Sequence, residues 1–131
     1  MFLSNLSEQQ KPAFLSLAQA LITADGVLSK DETAMMEQYR QEMGLSADVP
    51  MPAETESIYT FQAAPPSVKK QIIFELVALA CADNDYADEE RGLLGKLCGV
   101  WGLDTTFLDD CDPCIRELTA VYERIAKLVS E

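Results

Sequence analysis

The sequence predicts an all-α fold, a helical bundle, and three features carry that expectation. Apolar residues return at the spacing of a helix face, helix-start and helix-stop signals bracket those stretches, and one segment recurs without a gap 58 residues further on. No run alternates with the period of a strand. The 131 residues have the size of one domain, and 48% hydrophobic with 24% charged residues suits a folded chain, so the expectation is a single helical domain over 1–131.

In the first helix Phe14, Leu17, Ala18, Leu21 and Ile22 share one face. Ser7 and Gln10 have capping-box spacing at its start, Pro12 stands where it would bend or delay the first turn, and Asp25-Gly26 marks the end. A second capping box, Ser29-Lys30-Asp31-Glu32, opens a helix with Met35, Met36, Tyr39 and Met43 on its apolar side, and Gly44 closes it. Residues 45 to 56 hold Pro50 and Pro52 and read as a loop, running into a short helix before Pro65-Pro66. From about Pro66 to Ala82 the chain is apolar nearly all the way round after Lys70, which puts that helix at the centre of the bundle.

The fifth helix carries Leu93, Leu94, Leu97 and Trp101 on one side, while Gly92, Gly95 and Gly99 weaken it and leave room for close helix contact. Asp112-Pro113 suits the cap and first position of a last helix. Its Ile115, Leu118, Val121, Tyr122, Ile125 and Leu128 form a stripe ending near Ser130. Trp101, the methionines and the tyrosines at helical spacing read as core.

Asp and Glu number 22 against 10 Lys and Arg, a formal net charge of −12. Phosphate backbones and anionic membranes are repelled by such a surface, whereas cations or a basic protein partner are attracted. Nucleic acid is therefore not an expected partner. The start MFLSNLSEQQ lacks a basic segment followed by a long apolar one, and no stretch is apolar enough to span a membrane, so a cytoplasmic protein is expected. Four irregularly spaced cysteines agree with a reducing compartment.

Sliding the chain by 58 places Ala20 to Leu45 over Ala78 to Leu103, with seven identities in 26 pairs. They include Ala24/Ala82, Asp25/Asp83, Glu32/Glu90 and Gly44/Gly102. Both acidic positions coincide together with both closing glycines, which points to an internal duplication. At these residues the chain resembles the TerB-like tellurite-resistance family, whose pattern is an Ala-Asp-Gly turn after an apolar helix and a Glu seven residues beyond the Asp. Ala24-Asp25-Gly26 with Glu32 fits in full; Ala82-Asp83 and Glu90 fit in the second copy, where Asn84 replaces Gly.

The resemblance implies two three-helix repeats, about 7–62 and 66–130, related by pseudo-twofold symmetry. It also implies a divalent-cation site at the acidic positions and no known catalysis. The family is tied to stress responses and, in a co-chaperone branch, to partner proteins.

The residues themselves allow two readings of the acidic turns. Five carboxylates lie in the eight residues from Asp83 to Glu90, and three, with Lys30, in those from Asp25 to Glu32. Neither turn is an EF-hand, because Asp88 or Lys30 stands where that loop needs Gly and Leu94 or Met36 where it needs the bidentate Glu. A solvated helix start explains part of the charge, since each acid in a first turn gains about 0.3 to 1 kcal/mol. Asp83 and Asp85 precede the turn and add repulsion that capping does not require, which a hard cation would relieve. The candidate ligands are therefore Asp25, Glu32, Asp83, Asp85 and Glu90, and oxygen donors without any histidine favour calcium, magnesium or manganese over zinc.

Cys111-Asp112-Pro113-Cys114 is a lone CxxC, and Cys81 and Cys98 stand about 15 Å apart along a hairpin, too far for a four-cysteine zinc site. Asp109, Asp110 and Asp112 oppose a thiolate at Cys114, so thiol redox chemistry is the weakest alternative. No nucleophile beside a base and no phosphate loop stands out, and a non-enzymatic binding or adaptor domain is expected.

Overall fold

The computed structural model describes residues 1–24, 26, 29–82, 86 and 88–130. Among them a short helical turn at Leu3–Asn5 precedes six α-helices, and there is no strand. The helices are α1 (Gln10–Thr23), α2 (Lys30–Met43), α3 (Glu54–Gln62), α4 (Pro66–Ala80), α5 (Asp88–Trp101) and α6 (Thr106–Ser130).

Local chemistry sets most of the boundaries. The Ser7 N–H donates to Gln10 Oε1 at 3.0 Å and the Gln10 N–H to Ser7 Oγ at 3.2 Å, closing the first capping box. The Lys11 N–H reaches Ser7 O at 3.1 Å, Pro12 next to it forgoes the bond to Glu8 O, and the helix runs through it. Gly44 and Gly102 end α2 and α5 with φ of 68° and 73°. Past each glycine the next residue reaches back: the Leu45 N–H to Arg40 O at 2.9 Å and the Leu103 N–H to Cys98 O at 2.8 Å.

The centre is α4, whose Ile72, Ile73, Leu76, Val77, Leu79 and Ala80 are wholly buried and which packs against α1, α2, α5 and α6. Even its Lys69 is buried, with Nζ donating to Trp101 O at 3.4 Å. The short α3 lies on α1 and α5; Trp101 Nε1 donates to Ile58 O at 3.0 Å, and Phe61 meets the indole edge-on at 5.6 Å.

Three expectations need correction. The last helix begins at Thr106 rather than Asp112, because Asp104 caps it, accepting the Thr106 N–H at 3.0 Å, and Phe107 and Leu108 pack on the core. Pro113 then sits inside α6, and buried Cys111 and Ile115 on either side hold the helix to the core across the missing N–H. Gly92, Gly95 and Gly99 make no close helix contact: among the described residues, a Cβ at any of them would meet nothing within 4 Å.

The third correction concerns burial. Of the α6 stripe only Ile115 is buried, while Leu118, Val121, Tyr122, Ile125 and Leu128 are exposed, as are Tyr59, Met1 and Met51 elsewhere. Phe107 lies under Lys70 early in α4, and Asp112 already stands beside Cys81 past its end. The later part of α6 therefore outruns the helix that would have covered it. Among the described residues no helix is long and apolar enough to cross a membrane.

Candidate functional site: buried carboxylates at two helix starts

Glu32 and Glu90 are each the third residue of a helix, α2 and α5, and each is almost withdrawn from water, at 4% and 1% exposure. Carboxylates rarely reach that burial. The phase of the helices explains it. The buried residues of α2 are Glu32, Met36, Tyr39 and Met43, and those of α5 include Glu90, Leu94, Leu97 and Trp101, the same four positions shifted by 58. Each glutamate therefore heads the apolar stripe of its own helix and is carried inward by it.

Their neighbours differ. Glu32 belongs to a complete capping box, its Oε1 accepting the Ser29 N–H at 3.2 Å while the Glu32 N–H donates to Ser29 Oγ at 3.0 Å. Acidic Asp31 in α2, and Asp88 and Glu89 in α5, share the first turns, where the positive helix end favours them. Asp25, Asp83 and Asp85 lie outside the described residues. Among the described residues no three His, Cys, Asp or Glu side chains converge on a point where an ion would sit. A complete ligand set would thus have to combine the buried glutamates with those three aspartates.

A second acidic pair was not singled out from the sequence. Glu42 Oε2 accepts the Leu3 N–H at 2.9 Å and Glu75 Oε1 the Phe2 N–H at 3.0 Å, with the amino group of Met1 within 3.0 Å of both carboxylates. Tyr39, whose hydroxyl donates to Glu75 O at 3.3 Å, is held protonated by burial and by these two negative charges. These carboxylates tether the first residues to α2 and α4. Next to them α2, α4 and α6 enclose an open groove of about 550 Å³, with Asp31, Met35, Phe74, Ala78, Leu118 and Tyr122 among its walls.

The arrangement of the helices has a counterpart among solved structures. A crystal structure of a tellurite resistance protein from Nostoc punctiforme superposes with a TM-score of 0.67, covering 95% of this chain and 82% of that one at 16% sequence identity. This chain shares the helical fold of that protein. No protein-family model and no curated protein matches the sequence.

Within that fold burial disfavours the thiolate at three of the four cysteines, Cys81, Cys98 and Cys111. Cys81, Cys98, Cys111 and Cys114 are all free. Burial, then the charge of Asp112, pushes Cys81 up to about 11, and burial, then Cys114, pushes Cys111 up to about 12. Cys98 is raised by burial alone. Protonated thiols at neutral pH are weak nucleophiles. Beside Cys81, the Tyr86 ring lies under the Arg91 guanidinium at 4.0 Å, and its buried hydroxyl has no hydrogen-bond partner among the described residues.

Proposed function

We propose that this chain is a non-enzymatic binding domain of the TerB-like, stress-response type, whose acidic turns take up a divalent cation and whose acidic surface meets a basic protein partner. The observation that carries the reading is the burial of Glu32 and Glu90 at the same position of α2 and α5. Buried carboxylates gather hydrogen-bond and charge partners around them, and a cation held together with Asp25, or with Asp83 and Asp85, would join that set. A hard oxygen set of this kind suits calcium, magnesium or manganese. When bound, the ion would neutralise charge and draw each turn onto the start of the following helix.

The reading includes an internal duplication into two three-helix repeats, about 7–62 and 66–130, related by a pseudo-twofold axis. Support comes from the shared buried register of α2 and α5, from Gly44 and Gly102 with their matching backward hydrogen bonds, and from the way α1 and α4 each pack against the two helices that follow.

The second turn is the stronger site on this reading, since five carboxylates without a base exceed three that include Lys30 nearby. Thermal unfolding at constant ionic strength tests it, with calcium, magnesium or manganese added to the parent and to the Asp83→Asn, Glu90→Gln double variant. Open sites bind at about 10⁻⁴ to 10⁻³ M. Ion at about 1 mM should then stabilise the parent by about 0.4 to 1.4 kcal/mol through mass action, and the double variant by much less. If the parent gains no more than the variant with any ion, the turn is a solvated acidic loop and the domain is an adaptor that meets its partner without metal.

A further inference from the structure

The later half of α6 leaves a continuous apolar surface in water. Six of the ten large apolar side chains exposed among the described residues lie on it: Leu118, Val121, Tyr122, Ile125, Leu128 and Val129, at 36 to 76% exposure. Together they present on the order of 600 Å², the upper end of what a monomer leaves in one patch. Two such patches give about 1,200 Å², the groove walls Leu118 and Tyr122 included, which reaches the size of a specific interface.

The shape of the stripe shows what must cover it. A single facing helix would need only the seam of Ile115, Leu118, Tyr122, Ile125 and Val129, spaced three and four apart. Val121 and Leu128 widen that seam on one side, and small Thr119 and Ala126 flank it on the other. So broad a face is buried by a groove between helices.

The molecule possesses such a groove. Helix α3 packs on α5, but α2 and α6, the pair brought into the same relation by the 58-residue shift, leave an opening of about 550 Å³ floored by α4. Apolar Met35, Phe74 and Ala78 line it together with acidic Asp31 and Glu42. The α6 extension has a different balance: residues 116–131 carry Arg116, Arg124 and Lys127 against Glu117, Glu123 and Glu131, a net charge of zero within a chain of net −12. Apolar and locally neutral, it can enter an apolar and acidic groove without the local repulsion that the rest of this acidic chain would bring.

We propose that a second copy of this chain covers this surface, the extension of α6 in each protomer seating in the α2/α4/α6 groove of the other. Such an exchange is isologous and closes with two-fold symmetry. Anionic membranes, the other apolar surface available to an amphipathic helix, are repelled by the net charge. The same charge repels the two protomers at long range, so salt screens the repulsion and tightens the dimer, opposite to its effect on a basic partner. The inference holds whether or not the acidic turns bind a cation.

Sedimentation of the full chain from micromolar to millimolar concentration, at low and high salt, tests the proposal. The expected result is a reversible monomer–dimer equilibrium that tightens with salt. Ile125→Glu with Leu128→Glu, both exposed in the protomer, abolishes the dimer while circular dichroism and thermal unfolding stay those of the folded chain. Ala34→Arg, which fills the groove from the exposed face of α2 without altering α6, weakens it by about tenfold or more. A parent that remains monomeric overturns the proposal. So does a dimer that survives the double variant, ignores Ala34→Arg or dissociates in high salt, and so does an extension that binds anionic vesicles in place of a second copy.

Discussion

Replacing Gly92, Gly95 and Gly99 by alanine should stabilise this protein, and the size of the effect follows from where they stand. All three lie inside α5, none has positive φ, and an added Cβ meets nothing within 4 Å among the described residues. The gain is then purely that of propensity, about 0.8 to 1.0 kcal/mol for a glycine in a helix interior. Gly95, in the middle of α5, should deliver most of this; Gly92 and Gly99, nearer the ends, deliver less. The triple variant should gain about 2 kcal/mol, a rise of roughly 6 to 10 °C in Tm for a chain of this size. Urea unfolding followed by circular dichroism measures it, with an unchanged m value showing that the unfolded state is unaltered. The same substitution at Gly44 or Gly102 should have the opposite sign, costing about 1 kcal/mol, because φ near +70° is strained for any residue with a Cβ. Loss of stability at Gly92, Gly95 or Gly99 would refute the reasoning, since it would mean that another surface packs on that face.

Tyr86→Phe should raise stability by about 1 kcal/mol, because it removes a buried hydroxyl that has no partner among the described residues and keeps the ring under Arg91; a loss in urea unfolding would reveal a hydrogen bond to that hydroxyl. Alkali should destabilise the fold. Cys81, Cys111 and Tyr86 are raised, mainly by burial, to about 11, 12 and 12, so the unfolded chain releases these protons first. Their contribution is complete below pH 9.0, the ordinary thiol value, and is lost as pH rises through 11 to 12. Urea midpoints that do not fall above pH 9.0 would contradict that assignment. A basic partner held by the acidic surface should be retained from a native lysate at low salt and released at high salt; retention indifferent to salt would remove the electrostatic basis of that part of the proposal.

The sequence by itself determined the helices whose ends are made by neighbours in the chain. Ser29 with Glu32, Ser7 with Gln10, and the glycines at 44 and 102 act through hydrogen bonds and backbone angles that span only a few residues, so their chemistry is visible in order along the chain. Composition likewise revealed α4 as the centre, because a helix with no polar face has nowhere else to go. The burial of Glu32 and Glu90 was also legible, since each stands four residues ahead of an apolar stripe position, although charge alone suggested a solvated cap. Tertiary structure decided the rest. Asp104 and the packing of Phe107 and Leu108 outweighed the stop-and-start signal at Asp112-Pro113, and the end of α4 near Cys81 left the stripe from Leu118 onward bare. Periodicity records that one face of a helix is apolar; whether another element reaches far enough to cover it depends on lengths and crossing positions set by residues elsewhere in the chain.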